Sequence, residues 1–492
     1  MAHYIGIDLG TTFSAVSHLD EMGRPSIMHF SNGSNTVRST VTFMSDGSSV
    51  VGDPVGIDCT AERFKREMGT EWTFDGNGKS YNPTDLSTFV LKKIHDEVNT
   101  NLGQIAEAVV TIPANFANDA REATMNAAKA AGINVKFIIN EPTAAALYFA
   151  SQQTGGVGGI YAIYDLGGGT FDISIIKLAG EDVEVLATEG VHKLGGRDFD
   201  DKLTELVKKK YKEASGGDLE SEDFTPEDAE NMKRSLSQRD SVSKRIVRTN
   251  IEITRKEFEE SISSLIAQTE MLCESVLDEA NISLSEVQEV ILVGGSTRMP
   301  VVSESVKRVF GKEAIKFGNP DEVVALGASL YAAFKSDRTH MNKLQKDAVE
   351  QIKVSDITSK AYGTSVLATN PATGQKEMVN SIVIPKGHKI PCSITQPNYT
   401  VADNQQVVNI DINESNAEER DLNFVTKVWE GQLNLPAGRP ANQQIDVTFS
   451  YTVNQTVQAE FLDVASGNKE VVEIELAANT KPTVDMNKFT VE

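Results

Sequence analysis

The sequence predicts a two-lobed α/β domain followed by an all-β sandwich domain, and three observations carry that expectation. Two Gly- and Thr-bearing segments, residues 8–14 and 165–174, resemble each other, and each lies between two short apolar runs, so both read as strand, tight turn, strand. Strands and helices alternate between and after them, as an α/β fold requires. Beyond about residue 356 the helical pattern stops and period-two alternation takes over. A chain of 492 residues also exceeds what one hydrophobic core serves, so several domains are expected.

The elements follow in order. Apolar residues 5–7 form the first strand, leading into Asp8-Leu9-Gly10-Thr11-Thr12. Leu86, Phe89, Val90, Ile94 and Val98 share one face of a helix that ends at Gly103. Residues 108–112 read as a buried strand. Asn118 is the expected N-cap of an Ala-rich helix over 119–131, with Gly132 just past its end. Residues 135–139 form the next strand, and 160–164 lead into the second turn, Asp165-Leu166-Gly167-Gly168-Gly169-Thr170-Phe171-Asp172. A mostly helical stretch spans 199–233, and an amphipathic helix carries Phe258, Ile262, Leu265, Leu272 and Val276. Strand 289–293 runs into Gly294-Gly295, and a helix over 322–334 closes this part.

Residues 335–351 are charged, free of proline and weakly periodic. The expected division is therefore a first domain over 1–335, a linker over 336–355, a β domain of six to eight strands over 356–478, and a tail over 479–492 too short for a helical subdomain.

Composition narrows the function classes. Charged residues are 24% and apolar ones 40%, the balance of a soluble globular protein. The formal net charge of −23 repels a phosphate backbone or an anionic bilayer at long range, so neither nucleic acid nor membrane is an expected partner. Cys59, Cys273 and Cys392 form no metal or disulfide spacing, which suits a reducing compartment. The N-terminus lacks the regions of a signal peptide, and no apolar run approaches the about 20 residues that span a bilayer, so a cytoplasmic location is expected.

The two turns carry the chemistry. A nucleoside triphosphate needs backbone N–H groups brought close to its phosphates, and Gly10, Gly167, Gly168 and Gly169 allow that approach. The hydroxyls of Thr11, Thr12 and Thr170 can bond phosphate oxygens. Asp8, Asp165 and Asp172 would repel phosphate unless a hard cation sits between, which implies magnesium. One such turn is commonly only a turn. Two related turns, both with Asp and Thr, point to a nucleotide held between facing loops.

These turns, together with Thr111-Ile112-Pro113-Ala114, Asn140-Glu141-Pro142-Thr143, Leu194-Gly195-Gly196 and Gly294-Gly295-Ser296-Thr297-Arg298, resemble those of the seventy-kilodalton heat-shock chaperones of DnaK type, members of the actin-like ATPase superfamily. The match covers nearly the whole chain. It implies a duplicated ribonuclease-H-like ATPase domain and a peptide-binding β-sandwich, with ATP or ADP, Mg2+ and K+ as cofactors. By this resemblance Lys65, Glu141, Asp165, Thr170, Asp172 and Asp8 are the catalytic set, Asp8 and Asp165 holding the metal through water. Gly10, Thr11, Thr12, Gly167, Gly168, Gly169, Gly195 and Gly196 are matched to the phosphate side. Glu230, Lys233, Arg234 and Ser237 flank the nucleoside on one side, and Gly294, Gly295, Ser296 and Arg298 on the other, with Asp321 behind. Pro113 and Arg121 match an interdomain switch, and Val401, Val408 and Ile410 a peptide cleft in which Asn398 replaces an aromatic. Unfolded or extended polypeptide, a J-domain co-chaperone and a nucleotide-exchange factor are the implied partners.

Without the resemblance, Lys65 would read as part of a solvated basic turn and Arg121 as a helix-surface charge. Three departures bear on function. The linker Ile352-Lys353-Val354-Ser355-Asp356-Ile357 is more polar than the family's leucine run, so weaker docking is expected, each apolar side chain lost from burial costing about 1.5–3 kcal/mol. The family's helical lid has no counterpart after the last strand, and residues 59–82 are shorter than usual. Two rival functions remain: a nucleotide-dependent scaffold with a dedicated folded partner, and a small-molecule kinase of the same superfamily, for which no residue points to a metabolite.

Overall fold

The computed structural model describes residues 3–54, 59–153, 158–180, 182–370, 374–452, 456–473 and 482–483. The first lobe is built on a sheet in the order Val135–Asn140, Ile105–Ile112, His3–Asp8, Phe13–Leu19, Pro25–Ile27, with Thr36–Arg38 also paired to Phe13–Leu19. The second is built on the order Ile315–Lys316, Val287–Val293, Gly158–Leu166, Phe171–Ala179, Asp182–Val191. In each sheet the strand that enters a Gly/Thr turn runs parallel to two strands on one side and antiparallel to the strand that leaves the turn. The chain buries Ile5, Ile7 and Val16 in one core and Ile163, Ile173 and Ile175 in others, because these central strands are covered on both faces.

Helix Pro83–Asn101 starts with a capping box from Asn82 and Asp85 and buries Leu86, Phe89, Val90, Ile94 and Val98, the predicted face. Helix Asn118–Ala130 starts one residue earlier than expected. Asn118 is its first turn and not its cap, and Ala117 at the cap position makes no side-chain bond. The Asn118 backbone N–H instead donates to the Glu414 carboxylate, 3.1 Å away in the β domain. A distant residue thus satisfies a helix end that the local sequence leaves open.

The β domain is a sandwich of two four-stranded sheets, one ordered Lys376–Ile384, Ala361–Thr369, Val407–Ser415, Thr426–Asn434 and the other Cys392–Tyr399, Gln444–Tyr451, Val457–Asp463, Lys469–Glu473. Tyr362, Ile384, Ile412, Phe449 and Phe461 fill the space between them.

The linker segment differs from its expectation. Residues 336–355 contain a helix, Lys343–Val349, with its own Asn342 capping box, and they run into strand Lys353–Ile357. That strand lies parallel to Asp182–Val191, pairing Lys353 with Asp182, Val354 with Val183 and Ser355 with Glu184, and it also pairs with Lys389–Ile390 of the β domain. Lys353 points to solvent, 3.4 Å from Asp182, while Ile352 and Ile357 are buried and Val354 packs beside them. The polar residues therefore do not prevent docking: backbone hydrogen bonds make the strand, and alternation turns Lys353 outward. The expectation for the tail falls outside the described residues, apart from Pro482 and Thr483. Thr483 donates through its backbone N–H to Asp85 at 2.6 Å.

Candidate nucleotide site

Between the lobes lies a cavity of about 700 Å³, lined from the first lobe by Asp8, Gly10, Thr11, Thr12, Lys65 and Glu141 and from the second by Asp165, Gly167, Gly168 and Thr170. The two turns face each other at close range. A Cβ on Gly168 would stand 2.0 Å from Thr12 Oγ1, and one on Gly10 would stand 2.0 Å from the Phe13 carbonyl, so neither turn tolerates a side chain there.

The inner end is crowded with acid. Lys65 Nζ donates to Glu141 Oε1 at 2.6 Å and is 4% exposed, which overturns the reading of residues 63–69 as a solvated turn. Asp8 accepts from the Thr111 hydroxyl at 2.9 Å. Asp172 lies on the strand leaving the second turn, buried outside the cavity lining, and neither carboxylate oxygen has a side-chain partner. Burial, and then repulsion from Glu141, push the Asp8 carboxyl up to about 7 and that of Asp172 up to about 8. Asp165 is raised as well, by burial and by Glu141, Asp172 and Asp8.

This set fits a hard divalent cation, since four carboxylates around one lysine, three of them buried, need further positive charge. Among the described residues no three Asp, Glu, His or Cys side chains are grouped so as to hold a metal ion directly.

At the other end, Glu230, Lys233, Arg234 and Ser237 project from helix Pro226–Leu236 and its C-cap. Gly294, Gly295, Ser296 and Arg298 form the opposite wall, with Ser296 Oγ donating to the Gly167 carbonyl at 2.8 Å. Arg298 pairs with Asp321 at 2.7 Å, so Asp321 orients the arginine. Gly196 lines the cavity, and Gly195 packs against the backbone of Gly168 and Gly169.

Several cavity residues escaped the sequence reading. Asp200 pairs with Lys233 at 2.8 Å. Arg197 lines the wall, buried, with Nε and Nη1 unpartnered. Arg66, just outside the cavity lining, joins the lobes by donating to Asp198 at 2.5 Å and to the Gly168 carbonyl at 3.3 Å. The only signal for them was closeness in sequence to Lys65 and to Gly195-Gly196.

Pro113 and Arg121 lie outside the cavity. Arg121 is 1% exposed, not a surface charge, and donates to the carbonyls of Phe116 and Ala114, each at 2.9 Å, and to Ser359 Oγ of the β domain at 3.1 Å. Nearby, buried Asp356 accepts from Asn140 at 2.8 Å and Thr143 at 3.3 Å, two neighbours of Glu141. Hydrogen bonds thus tie the residues on either side of Glu141 to the linker strand.

The three cleft candidates part company. Val401 is 55% exposed, Val408 half-buried, and Ile410 buried in the sandwich core. Gln405 ties Val401 to Val407 by accepting from the first backbone N–H at 3.0 Å and donating to the second carbonyl at 3.2 Å. Val401, Val407 and Tyr399 are exposed apolar residues of this region.

Comparison with known proteins agrees with this architecture. A family model described as Hsp70 protein matches residues 64–491. The chain is 35% identical over 497 aligned positions to a chaperone protein DnaK from Mycoplasmopsis synoviae (strain 53), covering 96% of this chain and 78% of that protein.

Proposed function

The chain belongs to the Hsp70 family as an ATP-dependent, ATP-hydrolysing chaperone, and from that premise we propose how its own residues divide the work. Thr11 and Thr12 hold the phosphates from one lobe and Thr170 reaches the γ-phosphate from the other, while the glycines of both turns present backbone N–H groups. Lys65 neutralises charge developing on the transferred phosphoryl group. Glu141 and Asp172 orient the attacking water, and Asp8 and Asp165 hold the waters of the metal shell. Magnesium, when bound, supplies the positive charge that lets phosphates approach these carboxylates. Glu230, Lys233, Arg234 and Ser237 face Gly294, Gly295, Ser296 and Arg298 across the nucleoside. The matching strand orders of the two sheets support a duplicated unit behind the facing turns.

Arg121 and Asp356, bonded to either side of the domain junction, relay nucleotide state, with Pro113 fixing the strand end beside them. Val401, with Tyr399 and Val407, offers apolar surface to an extended polypeptide, and Val408 packs partly buried against the sandwich core. A J-domain co-chaperone and an exchange factor complete the cycle in a cytoplasmic setting.

The observation that carries this reading is the convergence of Asp8, Glu141, Asp165 and Lys65 between two facing Gly/Thr turns. The test is the off-rate of a bound apolar peptide in ATP and in ADP, with Lys65→Ala and Thr170→Ala as controls. Release is expected to be faster in ATP; equal off-rates in the two nucleotides would sink the relay, and absence of peptide binding would favour a dedicated folded partner.

A further inference from the structure

Arg197 is the second residue of helix Gly196–Ser215, which starts against the second phosphate turn. Its backbone is fixed there: the Arg197 N–H donates to the Gly168 carbonyl at 2.9 Å, and the Gly196 N–H to the Gly167 carbonyl at 3.0 Å. The side chain is 3% exposed and lines the nucleotide cavity, yet Nε and Nη1 meet no acceptor. Its ion pair with Glu62 of the first lobe is long, 3.4 Å from Nη2. A guanidinium withdrawn from water with unspent donors is costly until an acceptor arrives, and its planar fork matches a phosphate.

Position decides which acceptor. The bond to Gly168 places Arg197 beside the phosphate turn, and its charge is felt on the nucleoside wall. Burial raises the Glu230 carboxyl, but Arg38, Arg234 and Arg197 outweigh it and hold the group below the ordinary carboxylate range. Burial lowers the Lys233 ammonium; Asp200 and Glu230 oppose that, and Arg197 adds to the lowering. The guanidinium therefore stands where phosphates give way to ribose.

The other polar groups of that wall are already engaged. Arg234 donates to Glu230 Oε1 at 2.7 Å, and Arg38, from strand Thr36–Arg38 of the first lobe, donates to Oε2 at 2.6 Å. Lys233 Nζ is held by Asp200 and by the Gly196 carbonyl, each at 2.8 Å. A nucleotide site built for bare ribose hydroxyls offers them a free carboxylate, whereas an arginine beside the ribose accommodates a phosphate on it. Here the carboxylate is occupied and the arginine is free.

We infer that Arg197 fits this cavity to adenine nucleotides that carry an additional phosphate on a ribose hydroxyl, with the guanidinium pairing to that group. The inference rests on the proposed nucleotide site. It concerns which nucleotide fills the cavity and not the bond-breaking step.

The test uses the full chain with magnesium and a fluorescent ADP, displaced by unlabelled ADP or by ADP bearing a further phosphate at the ribose 2′ or 3′ position. The wild-type chain is expected to take one of the ribose-phosphorylated forms within about threefold of ADP. Arg197→Gln is expected to lower the preference for that form, relative to ADP, about tenfold. Arg197→Lys should lower it less, because an ammonium keeps the charge and loses the fork. Glu62→Gln, outside the cavity lining, removes the competing acid and should raise the preference about threefold, which keeps the inference testable if Arg197→Gln does not fold. Wild-type binding of both ribose-phosphorylated forms about a hundredfold or more weaker than ADP would overturn the inference and leave the nucleotide site standing. A preference unchanged by Arg197→Gln would do the same. Failure of the wild-type chain to bind labelled ADP would overturn the site as well.

Discussion

The nucleotide cavity and the seam between the first lobe and the β domain both bury charge, and they treat it in opposite ways. In the cavity, Asp8, Asp165 and Glu141 share one lysine with Asp172, which is buried close by, and no side chain hydrogen-bonds to Asp172. At the seam, Arg121, Asp356 and Glu414 each reach partners across elements, and Glu414 accepts both from the Asn118 backbone and from the Tyr362 hydroxyl at 2.9 Å. Unsatisfied buried groups mark where something else must bind, whereas satisfied ones mark where the chain binds itself. The first region spends stability on a site, and the second secures the arrangement of domains.

The largest expected effect breaks the cavity side. Lys65→Ala removes its central cation and should lower single-turnover ATP hydrolysis about 10²–10³-fold, in the range of losing a preorganised electrostatic group. A variant that keeps half of the wild-type rate would remove Lys65 from the catalytic set.

The seam responds next. Arg121→Ala leaves the Ala114 and Phe116 carbonyls without their donor and should lower the free energy of the first unfolding transition by about 1–3 kcal/mol, read by urea titration. It should also make peptide off-rates the same in ATP and ADP. Full stability together with intact nucleotide dependence would show that the line through Arg121 is dispensable.

The smallest effect sharpens the comparison through pH. Burial, and then Glu414, raise the Asp119 carboxyl to about 6. Its folded value lies above the unfolded value of about 3.9, so the fold holds the extra proton. That contribution is complete below about pH 4 and is lost as pH rises through about 6. Asp119→Asn should flatten this part of the stability profile between pH 4 and 7, by less than about 1 kcal/mol because solvent screens a partly exposed group. Thermal unfolding at a series of pH values measures it, and an unchanged slope would remove Asp119 from the seam's electrostatics.

Legibility in the sequence followed locality. Asp8-Leu9-Gly10-Thr11-Thr12 and Asp165 to Asp172 are continuous, and a turn that must admit phosphate carries its glycines and threonines side by side. Glu141 and Lys65 came only through the family resemblance, because the bond between them joins residues far apart in the chain. Arg38, Arg66, Arg197 and Asp200 had no pattern to announce them. The linker misled for a different reason. Lys353 and Ser355 are polar side chains, but the strand they belong to is held by backbone pairing to residues 182–184.

By itself, then, the sequence determined the two facing turns, the alternation of strands and helices, and the switch to period-two patterning past residue 356, because each depends on neighbours in the chain. The tertiary structure alone decided that Glu414 completes the start of a helix in another domain, that Arg121 is interior, and that Arg38 reaches Glu230 across the cleft. Those facts depend on which surfaces come together, and a charged side chain has no preferred partner until packing removes it from water.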